Sequence, residues 1–364
     1  MTRQSSTLLL AAVAVVVLGA GIYFGTGERE QPARTVPQPA FPGLADQLGA
    51  AAAVEIDQGG KVAHLVRKGD DWLLPDRGDY PAQASRVHQL LASLAELKLD
   101  EPRTSDASEY GRLGLEDPPK LPPKDDKDSD KHGTLVRVSD AGGKVLAQVV
   151  VGHAHMGSGG TGEAVYIRLP GQAQTWLADG ELTAEGDPSD WLNRDLLDIS
   201  ADKVVGVKVT RGAETLEFAR EGGTLVLKSP ANPPKLEQYK LDDIGRALEE
   251  LTFETVQKQP APGTPEGTAV FTTKAGMTIT ATITKPAAKP GEKAAGDIWA
   301  TFDVTSTDKA KDAAAKLEAK VKGWAYQLAG WKEAAFVPTL DELKATLPSP
   351  PPKPAAPPAA PPAK

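Results

Sequence analysis

Gly157-Ser-Gly-Gly-Thr-Gly162 has the spelling of the dinucleotide-binding turn G-x-G-x-x-G. That chemistry needs a strand before the turn and a helix after it, so that a pyrophosphate meets the helix N-terminus. Here Glu163-Ala-Val-Tyr-Ile-Arg168 comes next and reads as a strand. A Walker-type phosphate loop also fails, because Glu163-Ala164 stands where Lys and Ser/Thr are required. The segment reads as a hairpin loop. His153 and His155 are two apart and would face one side of a strand, as a pair of metal ligands does, but no third ligand stands nearby. A solvent-facing pair at a strand end is expected. Asp126-Lys-Asp128-Ser-Asp130 begins like a calcium loop, yet Lys131 holds the glycine position and Arg137 the position of the closing glutamate. It reads as a solvated charge run. His64, His88, His132, His153 and His155 have no serine in a Gly-x-Ser-x-Gly elbow to activate. Trp72, Trp191, Trp299 and Trp324 read as packing residues rather than as a sugar-stacking platform. No catalytic, cofactor-binding or metal-ligating residue is assigned.

The bulk properties narrow the class. With 364 residues and 40% hydrophobic content the chain is long enough for two ordinary domains with real cores. A net charge of −8 argues against nucleic acid and against broad adhesion to anionic lipid, since both need a clustered basic surface. The absence of cysteine excludes disulfides, thiolate catalysis and cysteine metal sites.

The two ends set the context. Gln4 to Gly27 is uncharged, and Leu8 to Phe24 is almost wholly apolar. A bilayer core needs ~20 apolar residues as a helix, so residues 1–27 are expected to be a cytoplasmic N-terminus and a single transmembrane anchor. Arg3 before the run, against Glu28, Arg29 and Glu30 after it, gives that orientation. A cleaved signal peptide is the rival reading, but the run is long for one, ends in bulky Ile22, Tyr23 and Phe24, and offers only Val17-Leu18-Gly19 as a cleavage match. Either reading exports the rest of the chain. Residues 28–49 contain the proline-studded stretch Gln31–Gly43, expected to stay extended and unpacked. Residues 348–364 are almost only Pro, Ala and Lys and are expected to be a disordered, polyproline-type tail.

Between the ends lies an internal duplication, with a first copy at residues 50–200 and a second at 201–347. Val54–Ile56, Ala63–Arg67 and Trp72–Leu74 read as strands, followed by a helix opened by Pro81 that carries Val87, Leu90, Leu91, Leu94 and Leu97 at helical spacing. Val204–Val209 and Leu216–Ala219, joined at Gly212, then Leu225–Leu227, repeat the strands. Leu241, Ile244, Leu248 and Leu251 repeat the spacing of Val87, Leu90, Leu94 and Leu97. Later matches, Gly133-Thr134 with Gly267-Thr268, Tyr166 with Trp299 and Trp191 with Trp324, come at a shorter offset. The first copy must then hold about 20 extra residues, for which the charged, proline-rich segment 118–132, expected to be a disordered insertion, is the candidate. The second copy has its own loop at Lys285–Gly296. Leu135–Val138, Val145–Val151 and Ala164–Leu169, and their partners Ala269–Thr272, Met277–Thr284 and Ile298–Val304, read as antiparallel sheet. The fold class is α+β: two tandem repeats, each of antiparallel strands plus an amphipathic helix, after one N-terminal transmembrane helix.

Several stretches resemble a known family. Trp72-Leu-Leu-Pro75, Tyr80-Pro-Ala82, the leucine-rich helix and Glu101-Pro-Arg-Thr-Ser-Asp-Ala-Ser-Glu-Tyr-Gly111 are similar to the family called domain of unknown function 4340. So is Trp191-Leu-Asn-Arg-Asp-Leu-Leu-Asp-Ile-Ser200 with the Val-rich strand after it. The resemblance covers most of residues 50–345. It implies a bacterial envelope protein with one N-terminal membrane helix, often found beside components of gliding-motility-type ABC transport systems. It brings no catalytic residues. The chain departs from the family pattern after Gly114-Leu-Glu-Asp-Pro118, where the charged insertion delays the next strand, and in its proline tail.

The expectation is a single-pass protein of the bacterial inner membrane, its bulk periplasmic, acting without cofactor as an accessory, binding or scaffolding component. Its partners would be the membrane and the membrane subunits of an ABC-type transport complex, not nucleic acid. An envelope hydrolase is one alternative, and it requires carboxylates or a histidine pair to meet in one cleft. A spacer that binds cell wall through its tail is the other.

Overall fold

The computed structural model describes residues 36–122, 125–156, 163–287 and 296–345. The expected anchor at 1–27, the Gly157–Gly162 turn, most of the Lys285–Gly296 loop and the tail at 348–364 lie outside the described residues. Among the described residues no helix is long and apolar enough to cross a membrane. The chain is a mixed α+β protein dominated by large antiparallel sheets with a few short helices. It divides into two compact units, Met1–His64 with Ser85–Asp187, and Leu65–Ala84 with Pro188–Lys364.

The first unit holds strands β1 (Gln38–Pro39) and β2 (Ala51–Asp57). The chain leaves it along β3 (Val62–Lys68), β4 (Asp71–Leu74) and β5 (Tyr80–Pro81), which from Leu65 onward belong to the second unit. It returns through helix α1 (Ala84–Glu96), then β6 (Lys98–Pro102), β7 (Thr134–Asp140), β8 (Val145–Met156), β9 (Glu163–Arg168) and β10 (Thr175–Asp179). Strand order within the unit is β1-β6-β10-β9-β8-β7-β2. Helix α1 buries Val87, Leu90, Leu91 and Leu94, as their spacing demands. It starts at Ala84 rather than at Pro81. Pro81 pairs with Leu73 as part of β5, and Ala82 bridges to Leu192, so this stretch is extended and the helix can begin only after it. The proline-studded connector also differs from expectation. Its described part packs: β1 pairs with β6, the Ala40 N–H donates to the Leu97 carbonyl, and Ala40 and Leu44 are buried. Proline is tolerated there because β1 is an edge strand.

In the second unit β3, β4 and β5 form a short meander, with Val66 opposite Leu73 and Leu74 opposite Tyr80. Next come β11 (Asp195–Leu197), β12 (Val204–Arg211), β13 (Glu214–Glu221), β14 (Thr224–Ser229), helix α2 (Gln238–Gly245), β15 (Leu251–Thr252) and β16 (Thr255–Lys258). They are followed by β17 (Thr264–Thr273), β18 (Met277–Lys285), β19 (Ile298–Ser306), helix α3 (Lys311–Val321) and β20 (Trp324–Leu328). The main sheet runs β14-β13-β12-β17-β18-β19-β20-β16. Helix α2 stops at Gly245, short of Leu251. Three-residue turns such as Ala247 N–H to Ile244 O and Glu249 N–H to Arg246 O continue the winding, so Leu248 stays buried although the helix has ended, while Leu251 is buried as part of β15, opposite Leu197.

The order β6-β10-β9-β8-β7-β2 in one unit parallels β16-β20-β19-β18-β17-β12 in the other. This corrects the pairing of Trp191 with Trp324. Trp324 opens β20, whose counterpart β10 carries its own Trp176, while Trp191 lies beyond β10 in a short turn. The offset changes because β19 reaches β20 through α3, whereas β9 turns directly into β10. The connection from β6 to β7 runs from Pro102 to Thr134, against Lys258 to Thr264 between β16 and β17. The described part of 118–132 is not disordered: Asp126–Ser129 form a helical turn, and the Glu116 N–H donates to the Lys131 carbonyl. The buried Arg168 of β9 ties this excursion down. Its guanidinium donates to the Leu115 carbonyl at 3.2 Å, pairs with Asp117 and lies 5.0 Å from the Tyr110 ring centre.

Tyr80 enters the core of the second unit edge-on to Trp324, Phe253 and Tyr326, with ring centres 5.0, 5.6 and 6.2 Å away. Burial pushes the Tyr80 phenol up to about 12, and burial with the neighbouring Tyr80 pushes Tyr326 higher still. Both stay protonated in the folded protein at a pH where free tyrosine ionises. Their stabilisation is therefore complete below pH ~10 and is lost as pH rises through the folded values. Stability should fall by about 1.4 kcal/mol per pH unit for each of these tyrosines between pH ~10 and ~12. Urea midpoints at pH 9, 10, 11 and 11.5 measure this slope. Replacing either residue by Phe should remove its share.

Candidate functional site

Two clefts gather the side chains that bear on function, one in each unit. The cleft of the first unit, about 470 Å³, is lined by Lys61, Asp125, Asp130, His132 and His153. It brings together residues that the sequence scattered. An extra residue in β8, between Val151 and Ala154, slips the register against β9. This bulge re-aims His153, whose Nε2 donates to the Asp130 carbonyl at 2.8 Å. Its ring fits because Gly114, at φ +68°, has no Cβ; one would stand 2.7 Å from the imidazole. His155 instead lies tilted against the Tyr166 ring, with centroids 5.7 Å apart. The two histidines are therefore not one solvent-facing pair. His132 donates from Nδ1 to the Asp117 carbonyl at 2.8 Å, with Glu116 3.8 Å away. The Lys131 ammonium, hydrogen-bonded to Asp128, holds that exposed carboxyl below its ordinary value. Each clustered histidine thus spends a ring nitrogen on fastening the excursion. Among the described residues no group of three or more His, Asp or Glu is placed to hold a metal ion.

The cleft of the second unit, about 550 Å³, lies between α2 and the segment Gly330–Leu343. Tyr239 projects from the first turn of α2 and is 61% exposed; Trp331 stands opposite in a short turn and is 73% exposed. Exposure at this level leaves two large apolar faces in water. A hydrogen bond to Glu237 and partial burial raise the Tyr239 phenol. Lys332 places its ammonium 4.6 Å from the Trp331 ring centre, and burial lowers its pKa. Asp243, Glu249 and Glu250 add negative charge, and Ala247, Ala335 and Leu343 form a buried apolar floor.

Each wall is fixed by polar contacts. Lys240 pairs with Glu237 at 3.1 Å and donates to the Glu342 carbonyl at 2.6 Å. Thr339 and Glu342 form a capping box that starts the one-turn helix Leu340–Leu343. Two residues after Trp331, Glu333 accepts from Arg211 at 2.7 Å and from Lys285 at 2.6 Å. Arg211 also reaches Glu266 at 3.3 Å and the Val337 carbonyl at 2.9 Å. Sequence reading missed Tyr239 and Trp331, because neither carries a spacing signal that separates an exposed ring from a core one. Trp72, Trp191 and Trp299 are buried.

Two of the stretches that carried the family resemblance meet in the second unit. Ala82 bridges to Leu192; the Gln83 N–H donates to the Trp191 carbonyl at 2.8 Å, and the Asn193 N–H to the Pro81 carbonyl at 3.1 Å. The Trp72–Ala82 meander and the Trp191–Asn193 turn are thus one structural feature. None of the curated proteins matches the chain. A family model described as Domain of unknown function (DUF4340) matches residues 72–268, from the first of these stretches through the second and on into β17. On that match, which spans more than half of its length, the chain belongs to the DUF4340 family.

Proposed function

We propose that this protein is a binding or scaffolding component, tethered by residues 1–27 to the bacterial inner membrane with its bulk in the periplasm, and that it serves an ABC-type envelope transport complex without chemistry of its own. The observation that carries the binding role is the second-unit cleft, where Tyr239 and Trp331 stay open to water over an apolar floor. Large, stiff aromatic faces gain contact area at small entropic cost and are typical anchors of recognition surfaces. Membership of the family and the apolar run at Leu8–Phe24 support the placement. Tethering raises the effective concentration of the cleft near a membrane partner. The parallel strand orders support a body made of two tandem copies of one α+β module, one of which carries the excursion at residues 103–133.

The hydrolase alternative gains the meeting of His132 and His153 in one cleft. It is the weaker reading, since both rings are used as ties between backbone segments. Affinity purification from detergent-solubilised membranes tests the main one. ABC membrane subunits should copurify with the intact chain and be lost when Met1–Gly27 is replaced by a cleavable signal. The Tyr239→Ala/Trp331→Ala double variant should reduce recovery about ten-fold or more. Recovery of no membrane partner overturns the reading.

A further inference from the structure

The two large aromatic side chains that stand exposed among the described residues, Tyr239 and Trp331, line one cleft. The chain leaves the described structure at that cleft. Leu343 forms part of the floor, Lys344 bridges to Leu236, and the Ala345 N–H donates to the Lys235 carbonyl at 2.9 Å, four residues before Tyr239. The C-terminal segment beyond it, Pro348 to Lys364, has a composition that suits such a site. Pro348, Pro351, Pro354 and Pro357 recur at every third position. A polyproline II helix has three residues per turn, so these four prolines would form one ridge along it. Aromatic-lined grooves take proline ridges, because the ligand is already stiff and loses little entropy on docking. At ~3.1 Å per residue the segment would reach roughly 50 Å, more than enough to lie back across a cleft beside its own origin. Its charges also suit the site: Lys353 and Lys364 with no acidic residue, against Asp243, Glu249 and Glu250. Three bases also line the cleft: Lys240 is held by Glu237 and the Glu342 carbonyl, Lys332 sits over Trp331, and Arg246 stands among the acidic residues, so the charge match is modest and the proline spacing carries the argument.

We propose that this cleft is a receptor for a proline ridge and that its occupant is the chain's own segment Pro348–Lys364. This rests on reading the cleft as a binding site. The test uses a synthetic Pro348–Lys364 peptide, titrated by calorimetry into the chain ending at Ala345 and into the intact chain. The shortened chain should bind one peptide, and the intact chain about ten-fold more weakly, because the tethered copy competes. Trp331→Ala in the shortened chain should abolish binding; the side chain is exposed, so the fold survives its loss. A peptide with Pro354 and Pro357 replaced by Ala should also fail. No binding to the shortened chain, equal binding to both chains, or binding that survives Trp331→Ala overturns the proposal. So does a dimer that disappears on shortening, since the tail would then occupy a second copy. Copurification of membrane partners with the shortened chain is scored separately. If partners persist while the peptide does not bind, the tail assignment fails and the binding role stands.

Discussion

Replacing Glu333 by Ala should destabilise the second unit by about 3 kcal/mol. Its carboxylate is only 13% exposed and stands between two cations, Arg211 at 2.7 Å and Lys285 at 2.6 Å. Those cations are 23% and 26% exposed, so removing the anion leaves positive charge that water reaches poorly. Exposed pairs are worth ~1 kcal/mol or less, and breaking a fully buried one costs ~3–5. Partial burial with two partners falls between these values. The loss is read from the urea midpoint of the full chain. Glu333→Gln, which keeps the shape but not the charge, should recover part of it. Because Glu333 comes directly after Trp331 and Lys332, the substitution should also loosen the cleft wall and raise the accessibility of Trp331 to a soluble quencher. A change under ~1 kcal/mol would mean that the network behaves as a surface one.

Tyr80→Ala should cost more, about 3–5 kcal/mol, the usual range for deleting a buried aromatic side chain. The ring is 2% exposed and meets three aromatic rings edge-on. The cavity would open where the Leu65–Ala84 meander joins the remainder of its unit. Amide exchange should therefore accelerate in β4 and β16 before it does in β18. Tyr80→Phe keeps the packing and loses only a hydroxyl, so it should cost about 1 kcal/mol. Near-equal losses for Ala and Phe would show that the hydroxyl, rather than the ring, holds the meander in place.

Elements with strong periodicity were legible in the residues alone. The leucine spacing from Val87 to Leu94 gave α1, and the alternating Thr and Ile of Met277–Thr284 gave β18, because burying one face writes its period into the sequence. Helix limits were less legible. Pro81 reads as a helix opener, but it belongs to β5, and Ala82 after it bridges to Leu192, a partner far away in sequence. The His153–His155 spacing predicts one face of a strand. The extra residue in β8, between Val151 and Ala154, puts His153 in the irregular part of the strand while His155 pairs regularly with Ala164, and register against a distant strand leaves no local mark. The match of Trp191 with Trp324 failed for a similar reason, since α3 lengthens only one of two equivalent connections.

The sequence by itself determined the α+β class, the longer strands with a clear apolar period, the apolar N-terminal run, the proline tail and the family resemblance. All of these depend on composition or on short-range period. The tertiary structure alone decided that the Trp72–Ala82 and Trp191–Asn193 stretches lie side by side, that two histidines fasten one excursion, and that Tyr239 and Trp331 line one cleft while Trp72, Trp191 and Trp299 are buried. Whether an aromatic ring ends in the core or in water depends on what packs over it, and that neighbour comes from another part of the chain.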